Sequence, residues 1–436
     1  MQTVLKELRL TLALALPMIV GQVSQMLIGI TDAALIGRVG TVPLAAAAFT
    51  HGVFGLFYIV GIGLLLPVGV FTARDRGAGD QAGCAAWLKH GRAMALLAGA
   101  GAFLLLAVLS TQLQHFGQPP EVVAVMRPFF LLNSLSLIPV FYYQVQRQYL
   151  DALGRPWVGT TIMLVDVGLN ALLNWVFIWG HLGAPALGLT GSGIATLVSR
   201  ILAVSAIGWW LRRERTPAGA LDGGRFRAML QMGVPAAGSL LFESGAFAAA
   251  MLMMGWLGAV ALAAHQIALS CAAFTFMFPL GLSMAVSMRI SKALGEGRRD
   301  ALRAIGFGTY GLGCGIMLTF ALGFVAAGGL LASGFTRDPA VIALATRLLI
   351  VAAIFQLFDG GQVIAAGALR GLTDVKVPTL ITFVAYWVLS LPLAYALAFH
   401  TGLGPIGIWA GLASGLACAA VLLGARFHRL TRAVAR

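Results

Sequence analysis

Runs of about twenty apolar residues recur along the whole length of this chain, and that recurrence restricts its possible folds more than any motif does. A helix needs roughly twenty residues to cross ~30 Å of hydrocarbon. Twelve such runs are centred near residues 20, 58, 103, 137, 168, 200, 242, 275, 315, 354, 388 and 415. Lipid satisfies no backbone N–H or C=O, and the runs lack the alternation of barrel strands, so each is expected to be a helix. Hydrophobic residues make up 59% of the 436 and charged ones 10%, which a soluble protein of this size would not carry. The predicted class is all-α and integral to a membrane, with the lipid bilayer as solvent.

The net charge of +14 suggests nucleic acid until the basic residues are placed along the chain. They fall into alternate loops and form no single patch, so nucleic acid is not expected as a partner. Residues 6–9, 74–92, 147–155, 212–227, 289–303, 370–376 and 426–436 hold about 24 of the 29 Lys and Arg. By the positive-inside rule these loops and both termini are expected in the cytoplasm, giving a multi-pass protein of the cell's inner (plasma) membrane. The first run contains Asp32 and lacks a cleavage site, so it is read as a retained span. Cys84, Cys271, Cys314 and Cys418 stand singly without metal or disulfide spacing and are expected to be reduced and inert.

The chain aligns with itself. Residues 16–80 match 234–298 without a gap, placing Pro17 on Pro235, Gly40 on Gly258 and Gly79 on Gly297. One residue further in register, Leu153 falls on Leu372, His181 on His400 and Gly188 on Gly407. Each half therefore holds six helices, and an even number returns the chain to its starting side, so the two lobes form a parallel repeat. The expected organisation is an N-lobe at 1–211, a cytoplasmic linker at 212–228 and a C-lobe at 229–436. Pro17 and Pro235 each remove a helical hydrogen bond and are expected to kink their spans.

Four acids interrupt the apolar runs: Asp32, Asp166, Glu243 and Asp359. Ionisable groups at membrane depth cost ~2.5–3.5 kcal/mol on insertion scales and usually line a cavity that handles protons, ions or substrate, so the chain reads as a transporter. Glu243 lies 16 residues past Arg227, about 24 Å along a helix, and Asp359 lies 11 before Arg370, about 16 Å. Both are deep enough to approach each other. They could pass a proton, hold Na⁺ with carbonyl oxygens, or stay protonated against a neighbouring carbonyl. Asp32 shares a span with Pro17, where a protonation event could change the bend. It could equally cap the outer end near Arg38.

None of these acids is repeated: Gln25, Val140 and Ala250 occupy the positions equivalent to Glu243, Asp359 and Asp32. The shared residues maintain architecture, and the unshared acids are the better candidates for chemistry. Asp166, Asn170 and Asn174 fall on one helical face, where they line a cavity or join helices. Arg200 is expected at the depth of Asp166, so the two could neutralise each other. His265 with Gln266 is either a packed pair or part of a proton relay. No Walker motif, HExxH or GxSxG occurs, so enzymatic activity and a resident cofactor are not expected.

The stretches LFESGAF, AAHQIAL, FMFPLGLSMAVSMRISKALGEG and FDGGQVIAAGALRGLTDVKVP followed by YWVLSLPLAY, with LNALLNWVFIWG and MLIGITDAALIG, span nearly all twelve runs. In them the chain resembles the multidrug and toxic compound extrusion (MATE) transporters, and within these the NorM-type branch. The resemblance implies a monomeric, cation-coupled antiporter that exports amphipathic, often cationic drugs and dyes by alternating access. It implies ion coupling at Glu243, Asp359 and Asp32, with Na⁺ possible at the first two, and a polar N-lobe cavity at Asn170, Asn174 and Thr196. NorM-type proteins coupled to Na⁺ often carry Tyr four residues before the Asp of span ten. Here that cavity residue is Phe355, which tilts the expected coupling ion from Na⁺ toward H⁺. The alternative is a lipid-linked flippase of the same superfamily, which would need more helices and a basic cleft.

Overall fold

The computed structural model describes residues 2–212 and 221–434, and among these every regular element is helical. Twelve spans are long and apolar enough to cross a membrane: α1 (Leu5–Gly37), α2 (Thr41–Gly77), α3 (Gln81–Ser110), α4 (Pro120–Ala152), α5 (Pro156–Trp179), α6 (Gly188–Arg212), α7 (Gly223–Trp256), α8 (Ala259–Gly295), α9 (Ala301–Ser333), α10 (Pro339–Gly371), α11 (Lys376–Phe399) and α12 (Pro405–Arg432). Residues 213–220 of the expected linker lie outside the described residues. The outer face of α3 presents Leu97, Leu104, Leu105 and Val108 at 62–68% exposure, as a surface solvated by lipid requires.

Helix starts follow local chemistry. Asp80 caps α3 by accepting from the Gly83 amide at 2.8 Å, and Asp338 caps α10 through the Ala340 amide at 2.8 Å. Asp222 accepts from the Gly224 and Arg225 amides at 3.0 and 3.3 Å, starting α7 at Gly223 inside the segment expected as linker. Those backbone donors, Gly224 first, hold its carboxyl below the usual carboxylate range.

The residues form two compact units, Val20–Ala237 and Met1–Ile19 with Gly238–Arg436. Both divisions fall just past a helix-interior proline, Pro17 in α1 and Pro235 in α7, and both helices run on through these prolines without a break. Within Val20–Ala237, α5 packs on α6 and α3 on the second half of α4, whose helix is interrupted at Ser136. In the other unit α10 is central, packed against α8, α9 and α12.

Lipid tails are as apolar as leucine, so close packing and interhelical hydrogen bonds hold such helices together. The α8–α10 seam shows both. A Cβ at Gly367 would lie 2.4 Å from the Ser283 carbonyl oxygen, so only glycine permits this approach. Ser283 Oγ then donates to the Val363 carbonyl at 2.6 Å and accepts from Arg370 at 2.9 Å. At the start of α1, buried Glu7 bridges Arg289 and Arg298, fastening this segment to the end of α8 and the turn after it.

The internal repeat is visible in the backbone. Gly40 and Gly258 precede α2 and α8 with φ of 152° and 106°; Gly79 and Gly297 have φ of 77° and 72°, and Gly183 and Gly402 82° and 75°. The turn after α4 uses Gly154 at φ 72°, whereas the equivalent turn after α10 forces Thr373 to φ 60°. A β-branched residue is unfavourable there, so the repeat imposes the turn even where sequence has diverged.

Candidate functional site

Among the described residues, each unit carries a buried polar cluster around its membrane-depth acids. In Val20–Ala237 it is built from α1, α5 and α6. Asp32, Asn170 and Asn174 are all at most 5% exposed. The Asn174 amide lies 2.8 Å from Asp32 Oδ1, 3.0 Å from the Asn170 carbonyl and 3.1 Å from Asn170 Oδ1. An amide nitrogen has two hydrogens for these three acceptors, so they compete. Asn170 Nδ2 reaches Ser199 Oγ at 3.5 Å, and Ser199 Oγ donates to the Thr196 carbonyl at 3.2 Å. Asp32 therefore faces the asparagines, which rules out the outer-end cap near Arg38.

The structure joins Asp32, Asn170 and Asn174 into one chain of hydrogen bonds and adds Ser199, which sequence reasoning missed. Ser199 stands three residues after Thr196 and thus on the same helical face, the one signal that could have revealed it. Asp166 lies at the edge of the cluster with Oδ1 buried and unpartnered. Arg200 interacts electrostatically with both Asp166 and Asp32 but forms no salt bridge with either among the described residues. Instead its guanidinium donates to Ser136 Oγ at the α4 interruption and lies over the Phe54 ring at 5.0 Å. Direct neutralisation of Asp166 by Arg200 is not what the side chains do.

The second cluster is built from α7, α8, α10, α11 and α12. Half-buried Glu243 interacts with the Gln362 and Tyr386 side chains, and Asp359 and Arg370 both feel its charge. Tyr386 is fully buried, interacts with both carboxylates and donates to Gln362 Oε1 at 3.4 Å. It sits in a π-helical stretch, Val384–Ser390, whose wider turn redirects its side chain relative to a regular helix. Asp359 is 4% exposed with Oδ1 unpartnered.

Glu243 and Asp359 thus share one site, as their depths suggested. Tyr386 and Gln362 were missed as members. Gln362 follows Asp359 at i+3 and was legible in principle, whereas no periodicity shows the π-helical turn. The repeat offers a comparison: Gln25, equivalent to Glu243, also meets a tyrosine, donating to the Tyr58 hydroxyl.

Phe355 is 2% exposed and packs edge-on against Phe247 at 6.0 Å and Trp409 at 5.3 Å. It contributes a ring to an aromatic layer and no oxygen. His265 belongs to the same layer, and its partner is Trp409 on α12, whose indole N–H donates to Nδ1 at 3.1 Å; Gln266 plays no part in this bond. A donor-only indole fixes His265 as a neutral ring protonated on Nε2, and that nitrogen is buried without a partner. Among the described residues no group of three or more His, Cys, Asp or Glu could hold a metal ion.

The MatE family model matches residues 17–176 and 235–396, one match in each half of the repeat. A probable multidrug resistance protein NorM of Mesorhizobium japonicum is 38% identical over 98% of this chain and 95% of its own length. One from Pseudomonas putida is 38% identical over 96% and 93%. Among solved structures, a mutant of the Vibrio cholerae MATE transporter VcmN superposes with a TM-score of 0.92 at 20% identity, covering 99% of each chain. An outward-facing multidrug resistance MATE transporter of the MOP superfamily gives 0.90 at 20% identity, covering 98% of this chain and 96% of its own.

Proposed function

The chain belongs to the MatE family, and on that premise we propose that it is an inner-membrane multidrug exporter exchanging protons for amphipathic, often cationic drugs and dyes. NorM-named relatives of near-equal length support the substrate class. The observation that carries the coupling is that Asp32, Asp166, Glu243 and Asp359 are free of salt bridges among the described residues, Arg200 and Arg370 acting on them only through space. A carboxylate so placed gains or loses its charge without breaking an ion pair.

At Asp32 the consequence is specific. Ionised, it accepts from the Asn174 amide. Protonated, it keeps one accepting oxygen and gains an O–H donor, for which Asn174 Oδ1, buried without a partner, is an acceptor once the amide turns. Proton uptake therefore removes a charge and adds a donor at an α1–α5 contact, the kind of local change that biases two conformations. At the second cluster Glu243 and Asp359 repel when both are charged, so one proton or one organic cation relieves the same repulsion and the two ligands compete. Tyr386 and Gln362 can donate to an ionised acid or accept from a protonated one.

The side-chain oxygens at that cluster come from Glu243, Asp359, Gln362 and Tyr386, with Phe355 contributing none. Phe355, one turn before Asp359 on α10, gives a hard cation no ligand there, and on that ground we favour protons over Na⁺ as the coupling ion. In proteoliposomes without Na⁺, an imposed pH gradient should drive ethidium transport, and Glu243→Gln or Asp359→Asn should each abolish it at normal membrane abundance. Transport that follows a Na⁺ gradient and ignores a pH gradient would overturn the proton assignment. Full transport by either variant would overturn the site.

A further inference from the structure

A cavity in Val20–Ala237 lies apart from the acid cluster and has no part in the proposed exchange. Its volume is about 530 Å³, and α3, α4 and α6 line it with Arg92, Tyr142, Gln146, Ser205, Trp209 and Arg212. It lies at the end of the unit bearing the basic loops. Arg212 is the last residue of α6, and Arg92 immediately precedes the uncharged stretch 93–110 of α3, about 27 Å long at helical rise. Both arginines thus belong at the boundary between hydrocarbon and headgroups. Trp209, 57% exposed, has the amphipathic ring typical of that level.

The polar groups sort into donors and acceptors. Arg92 stacks over Tyr142 at 5.8 Å, and its buried Nε has no hydrogen-bond partner. Gln146 is 1% exposed, and its Oε1 is buried and unpartnered. Gly208 leaves that oxygen open, since a Cβ there would stand 3.7 Å from it. Ser205 spends its hydroxyl hydrogen on the Ile201 carbonyl at 2.7 Å, so its oxygen remains an acceptor. Two guanidinium groups beside two acceptors, at the mouth of a lipid-facing groove, match an anionic phosphodiester whose headgroup carries hydroxyls.

We propose that this cavity binds the headgroup of a phosphatidylglycerol-type lipid, its phosphate on Arg92 and Arg212 and its glycerol hydroxyls on Gln146 and Ser205. Basic pockets between spans on the cytoplasmic side bind anionic headgroups by the same physics. The bound lipid would tie α3, α4 and α6 together at one end of the unit.

Native mass spectrometry of the full chain, in micelles doped with equal phosphatidylglycerol and phosphatidylcholine, tests this directly. The native chain should retain phosphatidylglycerol preferentially, and Arg92→Gln and Arg212→Gln should each reduce retention roughly fivefold. Gly208→Phe, which fills the cavity without changing charge, should also reduce it. Lys376→Gln, an exposed charge elsewhere, should not. Equal losses in the Lys376 and Arg92 variants would overturn the proposal in favour of diffuse surface attraction. Inorganic phosphate displacing the lipid at millimolar concentration would overturn it in favour of a free-phosphate site. If Gly208→Phe fails to fold, the arginine variants decide alone, and unchanged retention in both overturns the site.

Discussion

Arg147 and Asp151, one turn apart on α4, permit a quantitative test of how this bundle tolerates buried charge. Each is 1% exposed, and Nε stands 3.9 Å from Oδ2. Neither Asp151 oxygen has a hydrogen-bond partner, nor do Arg147 Nε and Nη2; Nη1 reaches only the Met163 sulfur, at 3.6 Å. At an effective dielectric of ~20 that separation corresponds to about 4 kcal/mol of attraction. Asp151→Leu removes it and leaves a buried guanidinium uncompensated, so a loss of about 3–5 kcal/mol is expected. Arg147→Met should cost a similar amount by stranding the carboxylate.

The double variant Arg147→Met with Asp151→Leu discards both desolvation penalties and should come within about 1 kcal/mol of the native chain or exceed it. A straight side chain is required at 147. A Cβ at Gly21 would lie 2.3 Å from Arg147 Nη2 and one at Gly159 2.9 Å from its Cγ, so this channel through the packing is narrow. Reversible unfolding by SDS titration in mixed micelles, run on all four chains, yields the coupling energy as a double-mutant cycle. Coupling below about 0.5 kcal/mol, or a double variant as unstable as the two single losses combined, would refute the reasoning.

Asn174→Leu strips Asp32 of its donor while keeping volume, so pH-driven dye transport should collapse although the protein accumulates normally; native rates in vesicles would remove Asn174 from the mechanism. Tyr386→Phe loses one hydroxyl between two acids, worth about 1 kcal/mol, so transport should slow roughly fivefold with unfolding in SDS little changed. A Tyr386→Phe chain that exports dye at the native rate would show that the phenol is only packed there. Gly367→Ala should destabilise the chain by ~1–3 kcal/mol or more, since its Cβ would meet backbone at Ser283, and a melting temperature equal to the native one in detergent would contradict the tight α8–α10 seam.

The sequence by itself determined the class, the number of spans and the repeat, because lipid allows so few solutions. Uninterrupted apolar length means a helix, alternate basic loops encode a topology, and recurring Pro17 and Pro235 betray duplication. It also identified the acids, since charge inside an apolar run stands out against its neighbours. Depth along a helix correctly suggested that Glu243 and Asp359 could meet, rise per residue being fixed.

Which side chains face one another was a different matter, because it depends on helix rotation and crossing, which no linear spacing encodes. Asp32 could have capped its helix near Arg38; only the packing of α1 on α5 turns it to Asn174. Arg200 and Asp166 share a depth, yet the interruption of α4 at Ser136 offers Arg200 another acceptor. His265 sits beside Gln266 in the chain but bonds to Trp409 from a different helix. Tyr386 joins the acids through a π-helical turn that departs from the 3.6-residue period on which facing positions are normally read. Composition and period fix the elements. Rotation, interruption and irregular turns, all consequences of tertiary packing, decide the site.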